Sequence, residues 1–264
     1  MRLHVTHRTL YSYDSPIAYA LLRLRLTPAP GRLQTILSWS LSIDGADREV
    51  DYVDAFGNAS SLLSAHSEPH EISITAIGDV ETHDLSGVFG PHFGHTPLWL
   101  FTMATPLTAP GPHIESVAGS APPGGKLESL HAINAALAGA IVWEAGSTEV
   151  HTSGEDALAQ GRGVCQDHAH AFCAAARLLG FPARYVSGYL MRNDGIHQAA
   201  SHAWAEAHVD GLGWVGFDPA NNQSPDGRYV RLAVGRDYRD AMPVAGIVLG
   251  TARETLAVSV SVEQ

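Results

Sequence analysis

Over its first hundred residues the chain alternates between apolar and polar positions. LHVTHRTLYSY (3–13), LSWSLSI (37–43) and EISITAI (71–77) keep a period of two, which predicts strands with one face buried and the other wet. Turn chemistry separates the runs: DSP at 14, PAPG at 28, DG at 44, FGN at 56 and EP at 68. No helix-length period interrupts them, so residues 1–105 are expected to form an N-terminal β domain of β-sandwich type. Residues 106–125 are rich in Pro, Gly, Ala and Ser and are expected to be a linker.

Beyond the linker the period lengthens. LESLHAINAALAGAIVWE (127–144) sets Leu127, Leu130, Ile133, Leu137 and Ile141 three or four apart, the spacing of one helix face. TSGEDALAQG (152–161) reads as a short capped helix stopped by Gly161. VCQDHAHAFCAAARLLG (164–180) reads as an alanine-rich helix with Arg177 near its end and Gly180 as its stop. FPARYVSGYL (181–190), SHAWAEAHV (201–209) and GWVGFDP (213–219) follow as strands, with an NDG turn at 193–195 and a DGLG turn at 210–213. RYVRLAV (228–234) and ETLAVSVSV (254–262) alternate again. Strands, then helices, then strands is the segregated order of an α+β fold, its second unit running over 126–264.

Composition bears more on partners than on fold. The 264 residues are 45% apolar, with a mean hydropathy of -0.01, ordinary values for a globular chain. The apolar run ALAGAIVW is far too short for a membrane span. The N-terminus MRLHVTHRTLYSYDSP meets a polar residue every second or third position, unlike a signal-peptide h-region, so the cytoplasm is the expected compartment. A formal charge of -11 and a single lysine, Lys126, disfavour nucleic acid and anionic membranes as partners. The two cysteines stand eight residues apart in one predicted helix, about 12 Å along its axis. That is too far for a disulfide, and both are expected as free thiols.

Cys165 is expected at the start of that helix, where unpaired N–H groups and the positive end of the dipole favour a thiolate. His202 opens one strand and Asp218 closes the next, and the DGLG hairpin between them brings the two strands side by side. A nucleophilic thiol needs a base within reach, and the base needs a group to set its tautomer. The backbone N–H of Cys165 is then available to an oxyanion. Each residue also has a plainer reading: Cys165 as an inert core thiol, His202 as a satisfied strand histidine, and Asp218 before Pro219 as turn chemistry.

The order of the segments GRGVCQDHAHAF, LGFPARYVSGYL, SHAWAEAHVDGLGWVGFDPANN and VGRDYRDAMPVAGIVLG resembles the transglutaminase-like superfamily in its bacterial two-domain form. LYSYDSPIAYALLRLRLTP with DAFGN resembles the N-terminal β region that accompanies this domain. The resemblance implies a papain-like cysteine-proteinase core and a Cys-His-Asp triad mapped onto Cys165, His202 and Asp218. It also implies acyl transfer through a thioester on a peptide or protein substrate, with no cofactor required. Hydrolysis by a peptidase or amidase is the favoured outcome. The alternatives are transfer to an amine by a protein-glutamine transglutaminase, and a non-catalytic binding module on the same fold. Many relatives carry an aromatic residue where this chain has His168, which stands either beside the site or facing solvent.

Other residues near these motifs have competing roles. Trp143 stands where relatives carry an aromatic residue that can reach the thiol. It is a candidate for the oxyanion or cleft wall together with Gln166 and Trp204, with core packing as the plainer role for Trp143. Trp204 and Trp214 are expected to wall the site. Asp167 is expected to cap locally or to pair with Arg184. The GRDY segment lines the cleft or forms an internal ion pair between Arg236 and Asp237 or Asp240. Cys173, in mid-helix among alanines, is expected in the core. His168 and His170 are two apart on a helix and point away from each other, so they cannot share an ion, and no metal site is expected.

Overall fold

The computed structural model describes residues 1–66, 68–92, 94–192 and 201–264. Its front half is a sandwich of two antiparallel sheets. One is ordered β15-β1-β6-β3, formed by β1 (Arg2–Tyr13), β3 (Gln34–Asp44), β6 (Glu71–Thr82) and β15 (Glu254–Glu263). The other is ordered β14-β2-β5-β4, formed by β2 (Tyr19–Leu24), β4 (Asp47–Val53), β5 (Ala59–Ala65) and β14 (Val244–Leu249). The alternation read along β1 and β6 is the cause: Leu3, Val5, Ile72, Ile74 and Val80 turn inward onto Leu22, Leu24 and Leu63.

A five-stranded antiparallel sheet, ordered β13-β10-β11-β12-β7, makes the second half. Its strands are β7 (Val88–Gly90), β10 (Ala183–Leu190), β11 (His202–Val209), β12 (Gly213–Phe217) and β13 (Tyr229–Gly235). Around it lie α1 (Pro112–Gly119), α2 (Lys126–Ala140), α3 (Gly154–Gln160), α4 (Cys165–Leu178) and the short α5 (Tyr238–Ala241). The small parallel pair β8 (Val142–Trp143) and β9 (Arg162–Gly163) stands before α4. Helix α4 is buried without interruption from Asp167 to Arg177. Its alanines allow the backbone to approach β11 on one side and α1, α2 and α3 on the others. The α+β class and the sandwich-plus-core architecture are therefore as expected.

Two boundaries differ from the sequence reading. Residues 106–125 are not a bare linker: Leu107 and Thr108 are buried, and α1 packs Ile114 and Ala118 against the core. Pro112 starts α1 in a position that needs no N–H, and the Glu155 carboxylate accepts the backbone N–H groups of His113 and Ile114. Arg177 fixes the segment from the other side, donating to the Phe101 and Ala183 carbonyls, the Thr108 hydroxyl and the Arg236 carbonyl. The unit expected over 126–264 also gives up its tail, since β14 pairs with β2 and β15 with β1. Alternation predicts a strand but not its partner, and a return to the opposite end of the chain leaves no local trace. The helix expected over 127–144 stops at Ala140, and the β-branched Ile141 and Val142 lead into β8. The NDG turn at 193–195 lies outside the described residues.

The sandwich also closes the open edge of the core sheet. Strand β13 lies at that edge, and two buried amides imitate a neighbouring strand. Gln34 donates to the Arg231 carbonyl and accepts the Arg231 N–H, at 2.8 and 2.9 Å. Asn58 does the same with Val234, at 2.8 Å for both bonds. Asn58→Ala strands two backbone groups at a buried site and is expected to cost about 2–3 kcal/mol, a fall of roughly 5–10 °C in melting temperature. A calorimetric melt unchanged from wild type would refute the edge-closing role.

Candidate functional site

The N-terminus of α4 is built by its own first turn. The Asp167 carboxylate accepts the Val164 N–H at 2.8 Å and the Thr148 hydroxyl at 2.6 Å, tying the loop before α3 to the helix start. Gly163 makes room for it, since a Cβ there would come within 2.9 Å of Asp167. Arg184, the other partner considered for Asp167, pairs with Glu206 instead. Burial pushes the Asp167 pKa up, and the Thr148 and Val164 hydrogen bonds oppose the shift. Cys165 is thereby held half-buried as the first helical residue. Among the described residues neither its backbone N–H nor that of Gln166 meets an acceptor, as a helix start leaves them.

His202 begins β11 and Asp218 follows β12 immediately, so antiparallel pairing of the two strands brings them together. His202 Nε2 lies 2.7 Å from Asp218 Oδ2, and the Cys165 side chain is close enough to act on the charge of the ring. Asp218 is fully buried, and its carboxylate is fixed from several directions. Tyr229 donates its hydroxyl to Oδ2 at 2.7 Å, Asn221 donates its side-chain amide to Oδ2 at 2.8 Å, and the Asn221 backbone N–H reaches Oδ1 at 3.2 Å. Gln223 in turn donates to the Tyr229 hydroxyl.

Burial alone would lower the His202 pKa. The charge and hydrogen bond of Asp218, with the Cys165 side chain, outweigh it and raise the pKa from 6.5 to about 10. Asp218 is the mirror case. Burial favours its neutral form, but His202 first, then Asn221 and Tyr229, hold its pKa below the ordinary value. Tyr185 and Tyr238, whose rings meet edge to face at 6.0 Å, are held protonated by burial and by the nearby Cys165 charge. Cys173 is fully buried in the core, as expected, and burial pushes its thiol up to about 12.

The structure thus brings Cys165, His202 and Asp218 together, and it gives the other expected residues different surroundings. Trp143 is neither core nor in contact with the ring system: it is 54% exposed on β8, opposite Gly163. Two residues of β8 cannot bury an indole without a layer above them. Gln166 turns its amide to the Val150 carbonyl at 3.2 Å. Trp204 is buried behind His202, nearly parallel to it at 6.2 Å, and meets Tyr229 at 5.4 Å. It supports the imidazole from behind rather than walling a cleft. Trp214 lies under Arg184 and among His92, Phe101 and His208, away from the three residues.

His168 is buried, not facing solvent. Its two ring nitrogens lie 2.9 Å from the Val164 carbonyl and 3.1 Å from the Ile141 carbonyl. His170 takes a different partner, accepting the Tyr238 N–H at 3.1 Å, so the two imidazoles do not converge. GRDY meets both expectations: Arg236 pairs with Asp240 at 2.8 Å, while Tyr238 stands near Cys165. Tyr229, Asn221 and Tyr185 were missed. For Asn221, three residues after an aspartate in DPAN, turn chemistry was an available signal. Tyr229 and Tyr185 carried none.

Comparison with known proteins agrees with this architecture. Residues 115–219 match the transglutaminase-like superfamily, and residues 3–81 match the bacterial transglutaminase-like N-terminal region. An uncharacterized protein of Mycobacterium leprae is 32% identical over 279 residues, covering 99% of this chain and 98% of that protein. One from Mycobacterium tuberculosis is also 32% identical, over 99% of this chain and 92% of its own length. Among solved structures, a candidate cysteine protease from Cytophaga hutchinsonii superposes with a TM-score of 0.77 at 22% identity, covering 100% of this chain and 91% of that one, and shares the fold. Sequence, sheet order and these relatives together make the chain a member of the transglutaminase-like superfamily, carrying that superfamily's bacterial N-terminal region.

Proposed function

We propose that the protein is a thiol-dependent acyl-transfer enzyme that hydrolyses amide bonds in a peptide or protein. Cys165 serves as nucleophile, His202 as proton carrier and Asp218 as the group that orients His202. The observation that carries this reading is the buried pair beside the thiol: Asp218 holds Nε2 at 2.7 Å, and the Cys165 side chain is close enough to help raise the pKa of the ring. A carboxylate on Nε2 fixes that proton and leaves Nδ1 to exchange one with the thiol.

The thiol proton passes to His202, and the sulfur attacks the amide carbon. A C–S bond forms while the carbonyl electron pair moves to oxygen. The unpartnered N–H groups of Cys165 and Gln166 suit that oxyanion. On collapse the C–N bond breaks, and His202 gives its proton to the leaving amine. A raised His202 pKa suits this step, because the ring carries the proton at neutral pH until the nitrogen needs it. Water then attacks the thioester, His202 takes its proton, and the thiolate leaves. Hydrolysis is favoured over transfer to an amine because no feature of the sequence marks an amine channel.

The test is incubation with a peptide library in H₂¹⁸O with a fluorescent primary amine present, read by mass spectrometry. Incorporation of ¹⁸O at cleaved or deamidated positions, absent with Cys165→Ser, is the expected result. Predominant incorporation of the amine would make the protein a transglutaminase instead. No thiol-dependent product in either channel would leave the binding-module reading.

A further inference from the structure

Away from Cys165, a cleft of about 380 Å³ lies between the sandwich and the outer face of the core sheet. Its volume falls within the range of small-molecule pockets. The loop after β2, with Phe56, forms one wall; Phe89 beside Gly90 forms another; Arg184, Trp214 and Arg231 form the floor. Arg32 comes from the loop and folds over Gly90, where a Cβ would collide with its Nη1.

The charges in this cleft do not cancel. Glu206, fully buried, serves both floor arginines: Arg184 Nη2 is 2.5 Å from Oε2, and Arg231 Nε is 3.1 Å from Oε1. Arg184 also stacks on Trp214, its guanidinium carbon 3.8 Å from the ring centroid. Glu206 is the anion that acts on Arg184, and Arg231 is a second cation beside it. Asp54, on the same side of the sandwich, is already engaged by Arg25, Asn58 and the Phe56 N–H. Arg32 has no hydrogen bond or ion pair among the described residues. Three guanidinium groups thus face one carboxylate, an excess of two positive charges in a chain of formal charge -11. Arg184 and Arg231 share the one buried carboxylate, and a second cation beside it without its own counter-charge is costly to retain, while the exposed Arg32 adds its charge at the mouth.

We infer that this cleft between the sandwich and the core sheet is a binding site for a small anion of at least two negative charges. The anion bears phosphate or carboxylate groups and is held by Arg32 and Arg231 over the Arg184–Glu206 pair. Planar guanidinium forks match both groups in geometry, which is why arginine rather than lysine suits the site. The site is separate from the three residues around Cys165 and stands whether or not they catalyse.

Isothermal titration of the full-length protein with inorganic pyrophosphate and, separately, with citrate tests this, with sodium chloride at equal ionic strength as the control. Saturable binding of one molecule is expected for at least one anion. Pyrophosphate alone identifies a phosphate ligand, citrate alone a carboxylate ligand. Arg32→Gln and Arg231→Gln are each expected to weaken binding about tenfold or more, while Cys165→Ser leaves it unchanged. Arg32 is exposed and unpartnered, so Arg32→Gln should keep the wild-type melting temperature in the absence of anion. The inference is overturned if neither anion binds saturably, or if both arginine variants bind as wild type does.

Discussion

Cys165→Ser is expected to lower amide turnover by at least about 10⁴-fold while melting with the wild type. The large kinetic effect follows from the loss of the thiolate: a serine hydroxyl in the same place holds its proton far more tightly. The small structural effect follows from the position. Cys165 is only half-buried at the rim of the core cluster, and serine differs by one atom. The second cysteine supplies an internal control. Cys173 is fully buried with its thiol pushed up to about 12 by burial, so near neutral pH it is both unreachable and protonated. Brief iodoacetamide treatment, read by peptide mass spectrometry, should therefore label Cys165 alone. The Cys165 rate should fall at least about tenfold in His202→Ala, which removes the cation beside the sulfur. Equal labelling of the two cysteines, or turnover surviving in Cys165→Ser, would end the thiol mechanism.

The three residues were legible because each sits at a boundary that sequence marks well. Cys165 follows a glycine-containing break and opens an alanine-rich helix, and His202 and Asp218 sit at the ends of two strands joined by a short glycine turn. Pairing across a hairpin is set by the turn, so the meeting of those two side chains could be anticipated. What surrounds them could not. Tyr229 reaches Asp218 from β13, which is not a neighbour of β12 in the sheet. Trp204 lies two residues on from His202 on the same strand face and was expected at a cleft, but Tyr229 covers it. For Trp143 the core-packing reading failed on the element. A helix through residue 144 would have given the indole a face to bury, and the exposed β8 gives none.

The same contrast applies to the fold. Period-two runs predicted strands correctly in both halves, because alternation is a property of the strand itself. The linker failed because composition describes an isolated chain, whereas Leu107, Thr108 and Ile114 are ordered by Arg177, Glu155 and the core. The tail failed because its partners, β1 and β2, lie at the far end of the sequence. The sandwich consequently depends on both termini of the chain. It also supplies Gln34 and Asn58 to the edge of the core sheet, so the two halves stabilise each other.

His202→Ala is expected to lower turnover by about 10⁵–10⁶-fold and Asp218→Asn by one to two orders less. The first removes the proton carrier. The second keeps it but spoils its orientation: an amide can offer Nε2 a donor where the carboxylate accepted one, turning the imidazole toward the wrong tautomer. Tyr229 and Asn221 both donate to Oδ2, the oxygen that faces Nε2, and so favour an amide oxygen there, which keeps Asp218→Asn the milder of the two changes. The pair also has a signature in stability. His202 binds its proton more tightly folded than unfolded, so its contribution is complete below about pH 6.5 and is lost as pH rises through about 10. Asp218, with its pKa lowered on folding, contributes fully above 3.8 and loses that contribution as pH falls through its folded value. The melting temperature of Asp218→Asn should therefore fall furthest below wild type between about pH 4 and 6.5, and the gap should narrow steadily toward pH 10. A gap independent of pH would mean that the carboxylate matters for packing and not for its charge on His202. Negligible kinetic effects from both substitutions would remove the two residues from the reaction altogether.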